Sequence, residues 1–316
     1  MLVIIIVSWN VQAMLERCLE SLYGNATSMR EQRIVVVDNA STDGSVDMIH
    51  SRFETVDVIA SPNNLGFTGG NNAGLRRAEK LIAEAAPSSS YVMLLNPDTV
   101  VAPGALDALL AYADAHPDVG VVGPQLRHGD GSIQSSRRRF PSLLVMMFES
   151  TWLQGAAPGK LLDDYYFADR KPEEVCDVDW MVGAALVVRY EAYCAVGGLD
   201  AVNFFMYSEE TDWCRRIKQA GWRVAYVPDA QITHYEGASS SQVSGQRMRY
   251  FNRSKVRYVR KHIGRPQAAW LALWLMGQFT AQCVLEFCKL VAGHKPGLRR
   301  NRLRAYCAVL RALWRA

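Results

Sequence analysis

Five stretches of this sequence place acids, an imidazole or glycines where they suit chemistry. Asn96-Pro97-Asp98 follows the apolar run of residues 91–95. A carboxylate at the end of a strand is a hard oxygen ligand, suited to Mg²⁺ or Mn²⁺ carrying a diphosphate, although Asn-Pro-Asp is also a common turn. Glu209-Glu210 and Asp212 come directly after the aromatic run Phe204-Phe205-Met206-Tyr207. A carboxylate beside a second anion or in an apolar pocket has a raised pKa and can act as a general base. Acids at a helix start also complement the helix dipole. Asp212 with Arg215 or Arg216 fits that structural role, whereas Glu209 and Glu210 together exceed what capping needs. His234, in His234-Tyr235-Glu236-Gly237-Ala238-Ser239-Ser240, matters only if it meets Asp98; a lone histidine is more often structural. Asp38 ends a second apolar run and stands between two roles, a contact to a base or ribose and a turn residue. Ser41 and Asp43 read as turn and helix cap. In Asn63-Asn64-Leu65-Gly66-Phe67-Thr68-Gly69-Gly70-Asn71-Asn72-Ala73-Gly74, the glycines permit close backbone approach before a helix N-terminus. That suits a diphosphate or a sugar, but such a loop by itself is weak evidence.

These residues need elements to hold them. Strands are expected at residues 2–7, 33–37, 56–60 and 91–95, and helices at 11–23, 45–53 and 71–86. That alternation predicts an α/β fold with a mostly parallel central sheet and helices on both faces. Ligands of such sheets sit beyond the carboxyl ends of the strands, where 38–43, 62–72 and 96–99 all fall. Further on, a turn is expected at Gly129-Asp130-Gly131, an excursion at 151–172 and a buried strand at 178–188 holding Gly183. A short helix at 211–220 and a strand at 223–227 ending in a Pro228-Asp229 turn complete the region.

The 316 residues are 49% hydrophobic and 21% charged, an ordinary globular composition. Seven scattered cysteines without a CxxC pair argue against a disulfide framework or a thiolate zinc site and fit a reducing compartment. Residues 2–7 follow no basic segment and are read as a buried strand, not a signal peptide. Charge is unevenly divided. Residues 1–236 hold 19 Lys/Arg against 30 Asp/Glu, and residues 237–316 hold 16 against the single acid Glu286. A basic tail of that kind suggests an anionic partner, nucleic acid or a membrane surface.

Taken in order, several segments resemble an inverting family 2 glycosyltransferase of the GT-A fold, a Rossmann-like α/β architecture. They are Val7-Ser8-Trp9-Asn10, Val36-Val37-Asp38-Asn39-Ala40-Ser41-Thr42-Asp43-Gly44-Ser45, the 64–74 loop and Leu95-Asn96-Pro97-Asp98. Trp180-Met181-Val182-Gly183-Ala184, residues 197–216 and 234–239 complete the set. The resemblance covers about residues 1–260, expected to be the catalytic domain, and is nearest to the bacterial rhamnosyltransferase-like branch. It implies Asp38 and Asn64 on the nucleotide-sugar donor and Asp98 as the last acid of the family's Asp-x-Asp motif, with Asn96 replacing the first. Asp98 and His234 would hold a divalent cation, Mg²⁺ or Mn²⁺, with the donor diphosphate. Glu210 takes the place of the Asp of the family's Glu-Asp pair as base, with Glu209 as the substitute candidate, and Trp180 and Gly183 line the acceptor side. The implied reaction is a single displacement onto a glycan or lipid-linked hydroxyl in cell-surface polysaccharide synthesis. L-rhamnose from dTDP-rhamnose is the best-matching donor, and UDP- or GDP-linked sugars are the alternative.

Residues 261–316 are expected as basic, amphipathic C-terminal helices. Residues 266–285 lack charge but carry Gln278 and Gln282, which with Glu286 share one helical face. That pattern suits a helix lying on an anionic membrane better than a span, with Trp270 and Trp274 at headgroup level. The expected location is cytoplasmic, peripheral at the inner face of the plasma membrane. Packing on the protein's own core or self-association into a homo-oligomer is the alternative. A nucleic-acid-binding reading prompted by 247–265 leaves Asp98, Glu210 and the acidic first region unexplained, so no nucleic acid is expected.

Overall fold

A computed structural model describes residues 1–235 and 244–315. The chain begins with β1 (Leu2–Ser8), α1 (Gln12–Gly24), β2 (Gln32–Asp38), α2 (Ser45–Arg52), β3 (Asp57–Ala60), α3 (Gly66–Ala85), β4 (Tyr91–Leu95) and β5 (Thr99–Val101). It continues with α4 (Ala105–Ala115), β6 (Val119–Arg127), β7 (Arg137–Arg138), α5 (Leu143–Phe148), α6 (Leu161–Tyr165), β8 (Cys176–Asp177), β9 (Trp180–Met181) and β10 (Ala185–Arg189). The last elements are α7 (Tyr190–Val196), α8 (Glu209–Gln219), β11 (Arg223–His234), α9 (Ser244–His262), α10 (Arg265–Val291) and α11 (Pro296–Trp314). Two compact units result. The first comprises Met1–Phe140, Tyr166–Ala201 and Glu209–Ser239; the second comprises Pro141–Tyr165, Val202–Ser208 and Ser240–Ala316.

The first unit is built on a sheet of order β3-β2-β1-β4-β10-β6-β11-β5, with β8 added on β11. β1 to β4 run parallel, as the alternation of strands and helices predicts, and β10 enters antiparallel between β4 and β6. Successive side chains of β1 point to opposite faces. Ile4 and Ile6 join one core with Leu15 and Leu19 of α1, Ile49 of α2 and Leu109 of α4. Ile5 and Val7 meet α3 on the other face, so helices cover both sides.

Two differences from the sequence reading matter for the site. The glycine-rich stretch is not a loop: α3 already begins at Gly66, and Gly70 and Gly74 face β1. A Cβ on Gly70 would lie 2.7 Å from Val7 Cγ1, and one on Gly74 would run into Ile5 Cγ2. These two glycines serve close helix–strand packing. Pro228-Asp229 does not end a strand. It lies in a bulge of the long β11, where the register to β6 shifts between Val227 and Gln231, a position that tolerates proline's missing N–H.

The second unit is helical. Leu271 and Leu275 of α10, Tyr258 and Val259 of α9, and Val309 and Leu313 of α11 share one core with Phe204 and Met147. Lys255 is buried there, its Nζ 2.9 Å from Glu149 Oε2; burial lowers its pKa and Glu149 opposes that shift. The polar stripe of α10 turns inward. Gln278 and Glu286 are buried, and Arg299 of α11 reaches Glu286 with contacts of 2.7 and 3.1 Å. The two tryptophans also part: Trp274 donates to Met147 O at 2.9 Å, whereas Trp270 is exposed.

Candidate active site

The register of β11 against β5 decides where His234 goes. The two strands pair antiparallel with His234 opposite Thr99, one residue beyond Asp98. His234 Nε2 therefore lies 3.3 Å from Asp98 Oδ1, both residues being buried. The Asn96 amide nitrogen is also 3.3 Å from Nε2. On the far side of the ring, Nδ1 lies 3.0 Å from Gln134 Oε1. An amide oxygen can only accept, so Nδ1 carries the proton and Nε2 presents its lone pair.

Among the described residues Asp98 Oδ1 has no hydrogen-bond donor, and it is buried. An acceptor left unpaired in the interior is costly. Here it faces a second lone pair, so the pair fits a cation. A partner on the other ring nitrogen, such as Gln134, orients a metal-ligating histidine. Among the described residues no group of three or more His, Cys, Asp or Glu side chains gathers at metal-binding spacing. The described residues thus offer two ligands, Asp98 and His234.

Gln134 was not among the residues singled out in the sequence. It arrives through the turn expected at Gly129-Asp130-Gly131, where Gly131 has φ +84° and Asp130 accepts from Ser132 N–H at 2.9 Å. The chain then folds back, and Gln134 N–H donates to Leu126 O at 2.8 Å. Leu126 pairs with Ile232 on β11, which brings Gln134 to the imidazole. A glutamine after a tight turn carries no periodic signal, so pattern alone could not reveal it.

Glu210 is positioned by a break in the expected strand at 178–188. The strand divides into β9 and β10, and Val182 N–H bonds to Ser136 O at 3.0 Å across the gap. At the gap, a Cβ on Gly183 would sit 3.4 Å from Glu210 Cβ. Asn96 N–H donates to the neighbouring Ala184 O at 2.8 Å, which ties this gap to the end of β4. Asn96, Asp98, His234, Gly183 and Glu210 thus converge at the carboxyl end of β4.

Both glutamates open α8, two residues earlier than the predicted helix start. Before them, Tyr207 and Ser208 both adopt left-handed backbone, with φ 72° and 67°. Consecutive non-glycine residues in that region are strained, and such strain clusters at functional sites. Glu209 is 3% exposed, and burial pushes its carboxyl well above the usual range, reinforced by the charge of Glu210. Burial also raises Glu210, opposed by backbone N–H groups of Glu210, Thr211 and Gly183 and by the positive charge of Arg138. Glu210 is the more exposed residue of the two, and among the described residues each has one buried oxygen without a partner. Asp212 is structural: it accepts from Arg216 Nε at 2.9 Å, and Arg216 also binds the carbonyls of Val196 and Gly198. Buried Cys18 beside Asn96 is no nucleophile, since burial pushes its thiol up to about 12.

The remaining candidates lie around this centre. Asp38 ends β2 with Oδ2 accepting from Ser41 N–H at 2.9 Å and Oδ1 buried without a partner among the described residues. Asp43 holds Gln12 N–H and Ser45, and Ser41 Oγ accepts from Asn10 N–H. Asn64 accepts from Gly66 N–H at 2.8 Å within its own turn. Trp180 is buried, its Nε1 donating to Arg139 O at 2.9 Å. Residues 236–240 of the histidine segment lie outside the described residues. A separate cleft of about 400 Å³, lined by Tyr112, Arg139, Phe167, Arg170, Cys176 and Arg223 among others, contains none of the candidates. Its cations are paired, Arg223 with Asp118 and Asp177 at 2.8 Å each.

Comparison with known proteins identifies the family and the fold. The profile of Glycosyl transferase family 2 matches residues 3–167, and that of Glycosyl transferase family group 2 matches 91–308. An N-acetylglucosaminyl-diphospho-decaprenol L-rhamnosyltransferase of Mycobacterium tuberculosis is 31% identical over 241 residues, 76% of this chain and 77% of that protein. Rhamnosyltransferase WbbL of Escherichia coli is 28% identical over 265 residues, 83% of this chain and 94% of that one. In fold, the chain is similar to the mannosyltransferase PcManGT from Pyrobaculum calidifontis, solved with GDP-Man and Mn²⁺. The TM-score is 0.56 at 15% identity, covering 98% of this chain and 85% of that one. With that profile match over half the chain and the architecture described above, the protein belongs to glycosyl transferase family 2 and has the GT-A fold.

Proposed function

We propose that this enzyme transfers L-rhamnose from dTDP-rhamnose, with inversion, to a hydroxyl of a glycan or lipid-linked acceptor in cell-surface polysaccharide synthesis. The observation that carries the reading is the unpartnered, buried Asp98 Oδ1 facing His234 Nε2, with Glu210 reached through Gly183 and Ala184. The rhamnosyltransferase names of both relatives support the sugar.

In this mechanism Glu210 takes the proton of the acceptor hydroxyl as that oxygen attacks the anomeric carbon. The bond from that carbon to the diphosphate oxygen breaks on the opposite side, which inverts the configuration. Asp98 and His234 hold a divalent cation, Mg²⁺ or Mn²⁺, which when bound supplies positive charge to the departing diphosphate. Gln134 keeps the imidazole proton on Nδ1; Asn96, whose amide nitrogen lies 3.3 Å from the Nε2 lone pair, would turn to the donor when that lone pair holds the cation. Burial and the charge of Glu210 hold the Glu209 carboxyl well above the usual range, which favours its neutral form beside Glu210. Asp38 receives the nucleoside, Asn64 borders the donor, and Trp180 and Gly183 form the acceptor wall. Residues 1–260 carry out the transfer. Residues 261–316 keep the enzyme at the cytoplasmic face of the plasma membrane.

A thermal-shift screen of nucleotide sugars with Mn²⁺ tests the donor, because a ligand bound only by the native state raises Tm. The expected result is the largest shift with dTDP-rhamnose and its loss in EDTA. A larger shift with a UDP- or GDP-linked sugar reassigns the donor. Full transferase activity in chelator removes Asp98 and His234 from the metal role.

A further inference from the structure

The second unit exposes an apolar face along its longest helix. Trp270, Leu273, Val284, Phe287 and Val291 of α10 are each between 55% and 72% exposed. They recur at helical spacing, and Gly277, Thr280 and Ala281 continue the exposed strip between them. From residue 266 to 288 that strip carries no charge. Its length is roughly 33 Å at about 1.5 Å per residue. The polar side of the same helix is inside, with Glu286 bound by Arg299 at 2.7 Å and Arg302 at 3.3 Å. A surface helix ordinarily turns its polar side out; here Gln278 and Glu286 are buried together with Leu271 and Leu275, and the uncharged strip is what faces out.

A contiguous apolar surface of this size marks a docking site. Charge identifies what docks. Glu286, the one acid of residues 237–316, is buried, while Arg265, Lys289 and Lys295 near the ends of α10 are exposed, as are Arg300, Arg304 and Arg311 of α11. An apolar strip with cations around it and no exposed acid among the described tail residues matches an anionic bilayer surface. It does not match a second copy, which would bring the same cations together.

We infer that α10 lies in the plane of an anionic bilayer with Trp270, Leu273, Val284, Phe287 and Val291 in the acyl boundary. The Gln278–Glu286 side is latched to α11 within the protein, so the helix seats on the membrane and does not cross it. This rests on the membrane role proposed for residues 261–316 and names the face that fulfils it.

The test is flotation of the full chain with vesicles of phosphatidylglycerol and phosphatidylcholine, and with phosphatidylcholine alone. Leu273→Glu/Phe287→Glu changes two exposed positions and leaves the core intact. Wild type floats with the anionic vesicles and less with the neutral ones. The double variant is expected to lose at least about tenfold in partitioning, since each burial of a Leu or Phe is worth that much. Shallow nitroxide lipids quench tryptophan emission more than deep ones, in wild type only. Equal flotation of variant and wild type overturns the face. Flotation in neither, with a dimer that the variant dissociates, assigns the strip to a second copy. Quenching from both leaflets means a span. The nucleotide-sugar thermal shift is measured on the same samples. Its failure in every sample strikes the sugar-transfer reading, and its persistence in a variant that no longer floats isolates the membrane effect.

Discussion

Replacing Gln134 by Leu probes the metal site without touching a ligand. In the native site Gln134 Oε1 accepts from His234 Nδ1, 3.0 Å away. Leucine accepts nothing, and the imidazole proton gains by moving to Nε2, where Asp98 Oδ1 waits at 3.3 Å without another donor. Nε2 then has no lone pair to offer. To bind a cation the variant must return the proton to a buried Nδ1 that has no acceptor, which costs about 1–3 kcal/mol. At about 1.4 kcal/mol per factor of ten, Mn²⁺ affinity falls roughly 5- to 150-fold. That brackets the ~10–100-fold loss typical when the partner of a metal-bound histidine is removed. The metal-free protein loses little stability, because the proton has a good alternative acceptor. Free Mn²⁺ is counted by electron paramagnetic resonance in titrations with dTDP present, and ¹⁵N chemical shifts of His234 report the tautomer. Unchanged Mn²⁺ affinity in Gln134→Leu would falsify the tautomer assignment, and with it the reason given for the placement of Gln134.

Three further outcomes follow from the same geometry. Glu210→Gln removes the base and is expected to lower turnover by about 10²–10⁴-fold while the donor-induced thermal shift persists; near-normal turnover would move the role to another residue. Glu209 has a folded-state pKa raised by burial, so its favourable contribution is complete below the ordinary Glu value of about 4.3 and is lost as pH rises through the elevated one. The Tm advantage of Glu209→Gln over wild type therefore grows from pH 4 to pH 8, and a gap independent of pH contradicts the burial argument. Gly74→Ala forces a methyl group into Ile5 on a central strand, at about 1–3 kcal/mol, against about 1 kcal/mol gained in helix propensity. Denaturant unfolding should show a net loss of stability, and a gain would mean that α3 shifts freely.

Local pattern was sufficient for the architecture of the first half. Alternating apolar runs and helical spacings predicted β1 to β4 and the helices between them, because burial periodicity is written into neighbouring residues. The ordered motifs likewise made the family legible. They also made Asp98 and His234 expected partners on one cation, with Glu210 as the base, but only through the resemblance; the residues' own spacing did not pair them. What joined them was non-local. Asp98 and His234 are 136 positions apart and meet through the β5–β11 register. That register depends on a bulge at Pro228-Asp229 that reads as a chain reversal when only its neighbours are considered. Gly183 reaches Glu210 because a strand breaks there, and the break is set by Ser136, distant in sequence.

The glycines of α3 illustrate the same limit. Their type announces close approach, and only packing tells whether a ligand or β1 does the approaching. In α10 the sequence placed Gln278, Gln282 and Glu286 on one face of an otherwise apolar helix. Tertiary structure decided which side faces out, because Arg299 on a separate helix supplied the charge that made burying Glu286 affordable. A one-dimensional pattern records each residue's preference for water or for the interior, whereas the partner that overrides a preference is chosen by the folded chain.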